Sequence, residues 1–196
     1  MNLPNKLTVL RIIITPLFLL FFLLPDWIDT MTVPGTIIVW LLYVMIESSD
    51  VLDGHIARKY NLVSDLGKVL DPFADVLSRI TYFICFTAAG IMPVLILAVL
   101  LYREFSITFL RMVLIRKGVA MAASIWGKLK AVTYAIAGVL GLVTVSALRL
   151  NLFSSYRHLF EQLTLAVFIM AAVASVASFI TYLKAAVPVL RDSFQE

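Results

Sequence analysis

Long apolar runs broken by short polar stretches dominate the chain, and several reach the roughly 20 residues that a helix needs to cross a bilayer. The pattern predicts six helices, over about Leu7–Leu24, Thr36–Lys59, Ser64–Gly90, Met92–Lys117, Ala123–Ala147 and Tyr156–Val187. Pro16 is a candidate kink in the first, Ser64 a candidate N-cap of the third, and Pro72 frees the carbonyl of Lys68 within it. Gly118 reads as a helix-ending residue and Pro188 as the stop of the sixth helix. Met1–Lys6 is expected to form a short interfacial segment, and Pro25–Pro34 a turn in which Trp27 anchors at the membrane surface. The small residues Ala171, Ala172, Ala174, Ser175, Ala177 and Ser178 suit close helix packing, as between copies of this chain.

Composition sharpens this picture. At 62% hydrophobic residues and a mean hydropathy of +1.00, an ordinary soluble domain is excluded. The expectation is an all-α integral membrane protein, residues 1–196 forming a single domain. The N-terminal apolar run lacks a small-residue cleavage site, so it reads as an uncleaved span. A net charge of +4 suits loops facing anionic lipid headgroups and does not call for a nucleic-acid partner. Cys85 stands alone, so no intrachain disulfide forms. Lys and Arg gather at the N-terminus, at the second and fourth connections and at the C-terminus, which places both termini in the cytoplasm. Arg149 and Arg157 run against that pattern and are outnumbered.

Asp50, Asp53, Asp71 and Asp75 then become conspicuous, because acids beside apolar segments need something to neutralise them. Asp50 and Asp53 are three apart and Asp71 and Asp75 four apart, so each pair leaves one face of a helix. Two helices joined by the short turn around 61–64 would set the pairs opposite each other. Four facing carboxylates make an all-oxygen cage suited to Mg²⁺ or Mn²⁺, with room for two ions. Gly54 and Ala57 leave a smooth helix surface that a ligand's phosphates and base can approach, Gly67 does the same on the facing helix, and Arg58 can clamp a phosphate. These features describe a metal-bridged diphosphate site of the kind used in phosphoryl transfer. The competing readings are a solvated helix end beside a positive-inside loop, or a carboxylate-lined ion or proton transporter.

From Asp50 to Asp75 the residues fill D-x2-D-G-x2-A-R-x8-G-x3-D-x3-D, all eight fixed positions with the right gaps. The stretch resembles the signature of the CDP-alcohol phosphotransferase family. That resemblance implies a six-span, usually homodimeric fold in a bacterial inner membrane, with its site at the cytoplasmic membrane surface. It implies divalent metal held by Asp50, Asp53, Asp71 and Asp75 on the diphosphate of a CDP-activated lipid. It also implies that Asp75 deprotonates the acceptor hydroxyl, and that Gly54, Ala57, Arg58 and Gly67 line the CDP site with the metal-binding acids.

Three further stretches resemble the branch of the family that transfers a phosphatidyl group from CDP-diacylglycerol to glycerol 3-phosphate. They are Leu3-Pro4-Asn5-Lys6-Leu7-Thr8-x-x-Arg11, then Arg103-Glu104-Phe105 with Leu110-Arg111-Met112, then Lys117-Gly118 with Ala122-Ala123-Ser124-x-x-Gly127-Lys128-x-Lys130. On this resemblance Asn5 and Thr8 join the CDP site. Arg103, Arg111, Lys128 and Lys130 receive the acceptor's phosphate. Val76 stands where that branch usually has Lys, and Ala131 where it usually has Thr. Inositol phosphate, another anionic alcohol, is the nearest rival acceptor. Glu104 and Arg111, seven apart, share a helix face and could simply pair with each other. Arg79, one turn past Asp75, is placed to pair with that acid or to touch the acceptor. His55 and His158 lack ligand spacing and read as structural.

Overall fold

The computed structural model describes residues 2–60, 65–116 and 125–191; of the helical residues, the side chains of 58, 65, 66, 68, 115, 116 and 188–191 fall outside that description. Six α-helices run through the described residues: α1 Leu3–Trp27, α2 Thr32–Lys59, α3 Asp65–Ala88, α4 Val94–Arg116, α5 Ile125–Arg149 and α6 Arg157–Arg191. Single 3-10 turns, Asp29–Met31 and Ser154–Tyr156, precede α2 and α6.

The boundaries differ from the sequence expectation in three places. Leu3–Lys6 is the first turn of α1, because Pro4 sits in the first turn, where its missing N–H costs nothing. Pro25 also lies inside α1, which shortens the first connection to the 3-10 turn. At the far end, α6 continues through position 188 to Arg191, so Pro188 does not stop it. Ser64 and Gly118 lie outside the described residues.

The chain is an integral membrane protein. Leu3–Trp27, Asp29–Ala57, Ile125–Arg149 and Ser154–Val187 are each long and apolar enough to cross a membrane. α3 and α4 are comparably long, but any 18-residue stretch of α3 contains Asp71, Asp75 and Arg79, and any such stretch of α4 contains Arg103, Glu104 and Arg111. These charges keep α3 and α4 below the apolar standard. Elsewhere the outward faces are apolar, as lipid contact requires: Ile13 and Leu17 on α1, Ile37 and Leu41 on α2, Ile169 and Val173 on α6.

The helices divide into two compact units, Met1–Ala89 with Val145–Ser154, and Gly90–Thr144 with Ser155–Glu196. In the first, α1 packs along both α2 and α3. Phe18 and Phe22 of α1 are fully buried, and the Phe18 ring meets Tyr82 of α3 edge-on at 4.9 Å between centroids. Tyr43 of α2 reaches the same Tyr82 ring at 5.0 Å, so α2 and α3 touch through aromatic side chains. Near the start of α2, Gly35 allows a close approach: a Cβ there would lie 3.1 Å from Pro25 Cγ and 3.3 Å from the Phe21 carbonyl oxygen. Trp40 is a packing residue, donating from Nε1 to Ser146 Oγ at 3.0 Å. Arg149 reaches Asp26 at 3.2 Å and lies over the Phe22 ring.

In the second unit α4 packs on α6. Of the small-residue stripe of α6, Ala171, Ala174, Ser175 and Ser178 are buried inside the chain, while Ala172 and Ala177 are half-buried. Ser175 bonds Tyr134 of α5, and Ser178 accepts from Arg103 of α4. Thr144 and Thr164 share a buried hydrogen bond at 2.7 Å. Each of these polar groups sits where lipid could offer it no partner.

Candidate active site

α2 presents Asp50 and Asp53, α3 presents Asp71 and Asp75, and α1 inserts two side chains among them. Thr8 and Arg11 are one helical turn apart on α1 and therefore share a face. Arg11, at 1% exposure, donates from Nη1 to Asp50 Oδ1 at 2.5 Å, from Nη2 to Asp53 Oδ2, and from Nε to Ser49 Oγ at 3.4 Å. The Thr8 hydroxyl lies 2.7 Å from Asp71 Oδ1, 3.2 Å from Asp53 Oδ2 and 3.1 Å from the Pro4 carbonyl oxygen. Asp75 is held at Oδ1 by Arg79 Nε at 2.7 Å, so the Asp75–Arg79 alternative set out from the sequence is the one observed. Arg11, Glu47, Asp50, Asp75, Ser78 and Arg79 line a small cleft together with Ile46.

The acid pairs of α2 and α3 thus come together through α1. Asp53 and Asp71 meet on one hydroxyl, and Asp50 and Asp75 line one cleft. Among the described residues no three acids, histidines or cysteines stand close enough to share an ion in this arrangement. The donor set is nevertheless that of a hard cation, being entirely oxygen. Thr8 has one hydroxyl proton for three neighbouring acceptor oxygens, so donating to one leaves the others facing oxygen. The residues present therefore suit Mg²⁺ or Mn²⁺.

Gly54 and Ala57 are partly exposed on α2, and Gly67 is buried on α3. Asn5 is buried in the first turns of α1. The Arg58 side chain lies outside the described residues, as do Lys117 and Ala122–Ser124. Arg11 was present in the N-terminal motif but carried no assigned role in the sequence reading. The available signal was an arginine inside an apolar run, one turn after Thr8, since such a residue needs an anionic partner.

Among the basic residues, the structure corrects the Glu104–Arg111 pairing. Glu104 Oε1 accepts from Arg103 Nη1 at 3.0 Å, Lys130 Nζ at 2.6 Å and the Tyr134 hydroxyl at 3.0 Å. Arg103 also donates from Nη2 to Ser178 at 2.8 Å, while its buried Nε has no hydrogen-bond partner among the described residues. Arg111 is exposed instead, its guanidinium 5.7 Å from the Tyr182 ring centre. Lys128 is exposed as well. Both histidines are exposed, and His158 bonds Gln162 one turn on.

A helical membrane protein with paired aspartates on two helices and a glycine-alanine approach between them defines a class. The model of the CDP-alcohol phosphatidyltransferase family matches residues 1–190, and the chain belongs to that family. It is 36% identical to a CDP-diacylglycerol–glycerol-3-phosphate 3-phosphatidyltransferase of Treponema pallidum over 152 residues, 77% of this chain and 70% of the relative. It is equally identical, 36% over 156 residues, to a protein of the same name from Bacillus subtilis, covering 76% of this chain and 77% of that one. A probable phosphatidylglycerophosphate synthase of Mycobacterium tuberculosis is 32% identical over 136 residues, 69% of this chain and 63% of the relative.

Proposed function

We infer that this chain transfers the phosphatidyl group of CDP-diacylglycerol to the primary hydroxyl of glycerol 3-phosphate, releasing CMP. The observation that carries the reaction class is the meeting of the α2 and α3 acid pairs on Thr8 and Arg11 of α1. The acceptor follows the names of the relatives from Treponema pallidum and Bacillus subtilis.

Asp50, Asp53, Asp71 and Asp75 would hold one or two Mg²⁺ or Mn²⁺ ions, which neutralise charge on the diphosphate when bound. Gly54, Ala57 and Gly67 let the nucleotide lie close to the helix backbones, with Asn5, Thr8 and Arg58 at its polar groups. Asp75 takes the proton of the acceptor hydroxyl, and Arg79 fixes the carboxylate through Oδ1. The hydroxyl oxygen bonds to the phosphatidyl phosphorus. The bond from that phosphorus to the bridging oxygen breaks, and CMP leaves with the oxygen. Arg103, Arg111, Lys128 and Lys130 receive the acceptor's own phosphate, with Arg111 and Lys128 the exposed cations. The acyl chains stay in the bilayer, the site faces the cytoplasm of a bacterial inner membrane, and the protein works as a homodimer.

The test offers purified protein CDP-diacylglycerol with glycerol 3-phosphate, inositol phosphate or free inositol in separate reactions, following lipid product and CMP. Phosphatidylglycerol phosphate is expected to form, at a rate well above that with either inositol compound. Equal or faster turnover with inositol phosphate would replace the acceptor while keeping the reaction class.

A further inference from the structure

Arg11 sits in an apolar helix, where an arginine is costly unless paired, and all three of its nitrogens are engaged by α2. Two of its acceptors, Asp50 Oδ1 and Asp53 Oδ2, belong to acids that the proposed reaction assigns to a divalent cation. Guanidinium keeps its charge at any pH at which the protein folds, and its planar fork can tie two carboxylates at once. Without it, Asp50 and the deeply buried Asp53 would repel each other in surroundings that screen charge poorly. Thr8 cannot take over that role, since its one proton goes to a single oxygen.

We propose that Arg11 is the resident counter-cation of the metal site: it neutralises Asp50 and Asp53 while no divalent ion is held there, and gives up part of that pairing when one binds. This rests on the reading that the aspartates hold a divalent ion. Two cations on the same oxygens repel each other and share the same lone pairs, so guanidinium and metal compete. Deleting the guanidinium therefore raises the free energy of the ion-free protein more than that of the ion-loaded protein. By linkage, the ion then binds more tightly and stabilises the fold by more. A residue that merely packed or oriented the ligands would give other signs. Loss of packing would lower both forms equally, and loss of ligand orientation would weaken the ion.

The test uses full-length protein in detergent micelles, wild type against Arg11→Gln. Mn²⁺ binding is followed by electron paramagnetic resonance of the free ion, and thermal unfolding is recorded in EDTA and in Mn²⁺. In Arg11→Gln we expect a lower Tm in EDTA, a larger Mn²⁺-induced rise in Tm than wild type shows, and Mn²⁺ affinity about tenfold tighter, as removal of one competing nearby charge implies. Equal losses of Tm in EDTA and Mn²⁺ with unchanged affinity, or weaker affinity, would overturn the proposal. If Arg11→Gln cannot be purified, Arg11→Lys serves, because its single point charge cannot tie both carboxylates and should shift both readouts in the same direction by less. No shift in Arg11→Lys would also overturn it. If wild type takes up no Mn²⁺, the metal reading itself has failed, whereas Mn²⁺ uptake insensitive to Arg11 sinks only the counter-cation role.

Discussion

Asp75→Asn is expected to slow CMP release by about 10²–10⁴-fold, the range that a positioned general base contributes. The amide keeps the size of the carboxylate and can still accept a hydrogen bond from Arg79, so the helix should stay folded; it cannot take a proton from an acceptor hydroxyl. The loss should fall mainly on kcat, because CDP-diacylglycerol is gripped by several other groups. Initial rates at saturating and limiting CDP-diacylglycerol separate the two parameters. Turnover near wild type would remove Asp75 from the base role.

The second large effect lies in the other unit. Glu104→Ala is expected to destabilise the fold by about 3–5 kcal/mol, the usual cost of breaking a buried ion pair from one side. Glu104 is 4% exposed, and its Oε1 alone receives Arg103, Lys130 and Tyr134. Truncation would remove the carboxylate oxygen that Arg103 Nη1, Lys130 Nζ and the Tyr134 hydroxyl share. Thermal unfolding in detergent should show a lower Tm for Glu104→Ala. Adding Arg103→Met should recover part of the loss, since one uncompensated charge goes with it. An unchanged Tm for the single variant would mean that water or lipid headgroups already screen this cluster.

How much of this could be read from the residues depends on whether the signal was local. Apolar run length placed all six helices, and spacing along a helix put Asp50 with Asp53 and Asp71 with Asp75 on common faces. Partners across helices were harder. The short turn after α2 predicts the two acid pairs opposite each other, and they do come together, but with α1 packed against both helices and supplying Thr8 and Arg11 at the junction. Nothing in the spacing of the acids could reveal that, because the contacts span about 40–60 residues of chain, as with Thr8 to Asp53 and to Asp71. Glu104 illustrates the same limit. Its seven-residue spacing allows a pair with Arg111 on its own helix, but Lys130 and Tyr134 from α5 reach it, together with its neighbour Arg103. Proline marks neither expected break, since α1 runs on past Pro25 and α6 past Pro188. Proline is tolerated in the first turn at Pro4, and in a membrane helix it need not stop the helix at Pro188.

The most direct measurement is CMP release by purified protein given CDP-diacylglycerol and glycerol 3-phosphate, before and after EDTA and again after restoring Mg²⁺ or Mn²⁺. Release should stop on chelation and return with either ion, matched one for one by phosphatidylglycerol phosphate. CMP release that continues undiminished with every divalent ion removed would contradict the account.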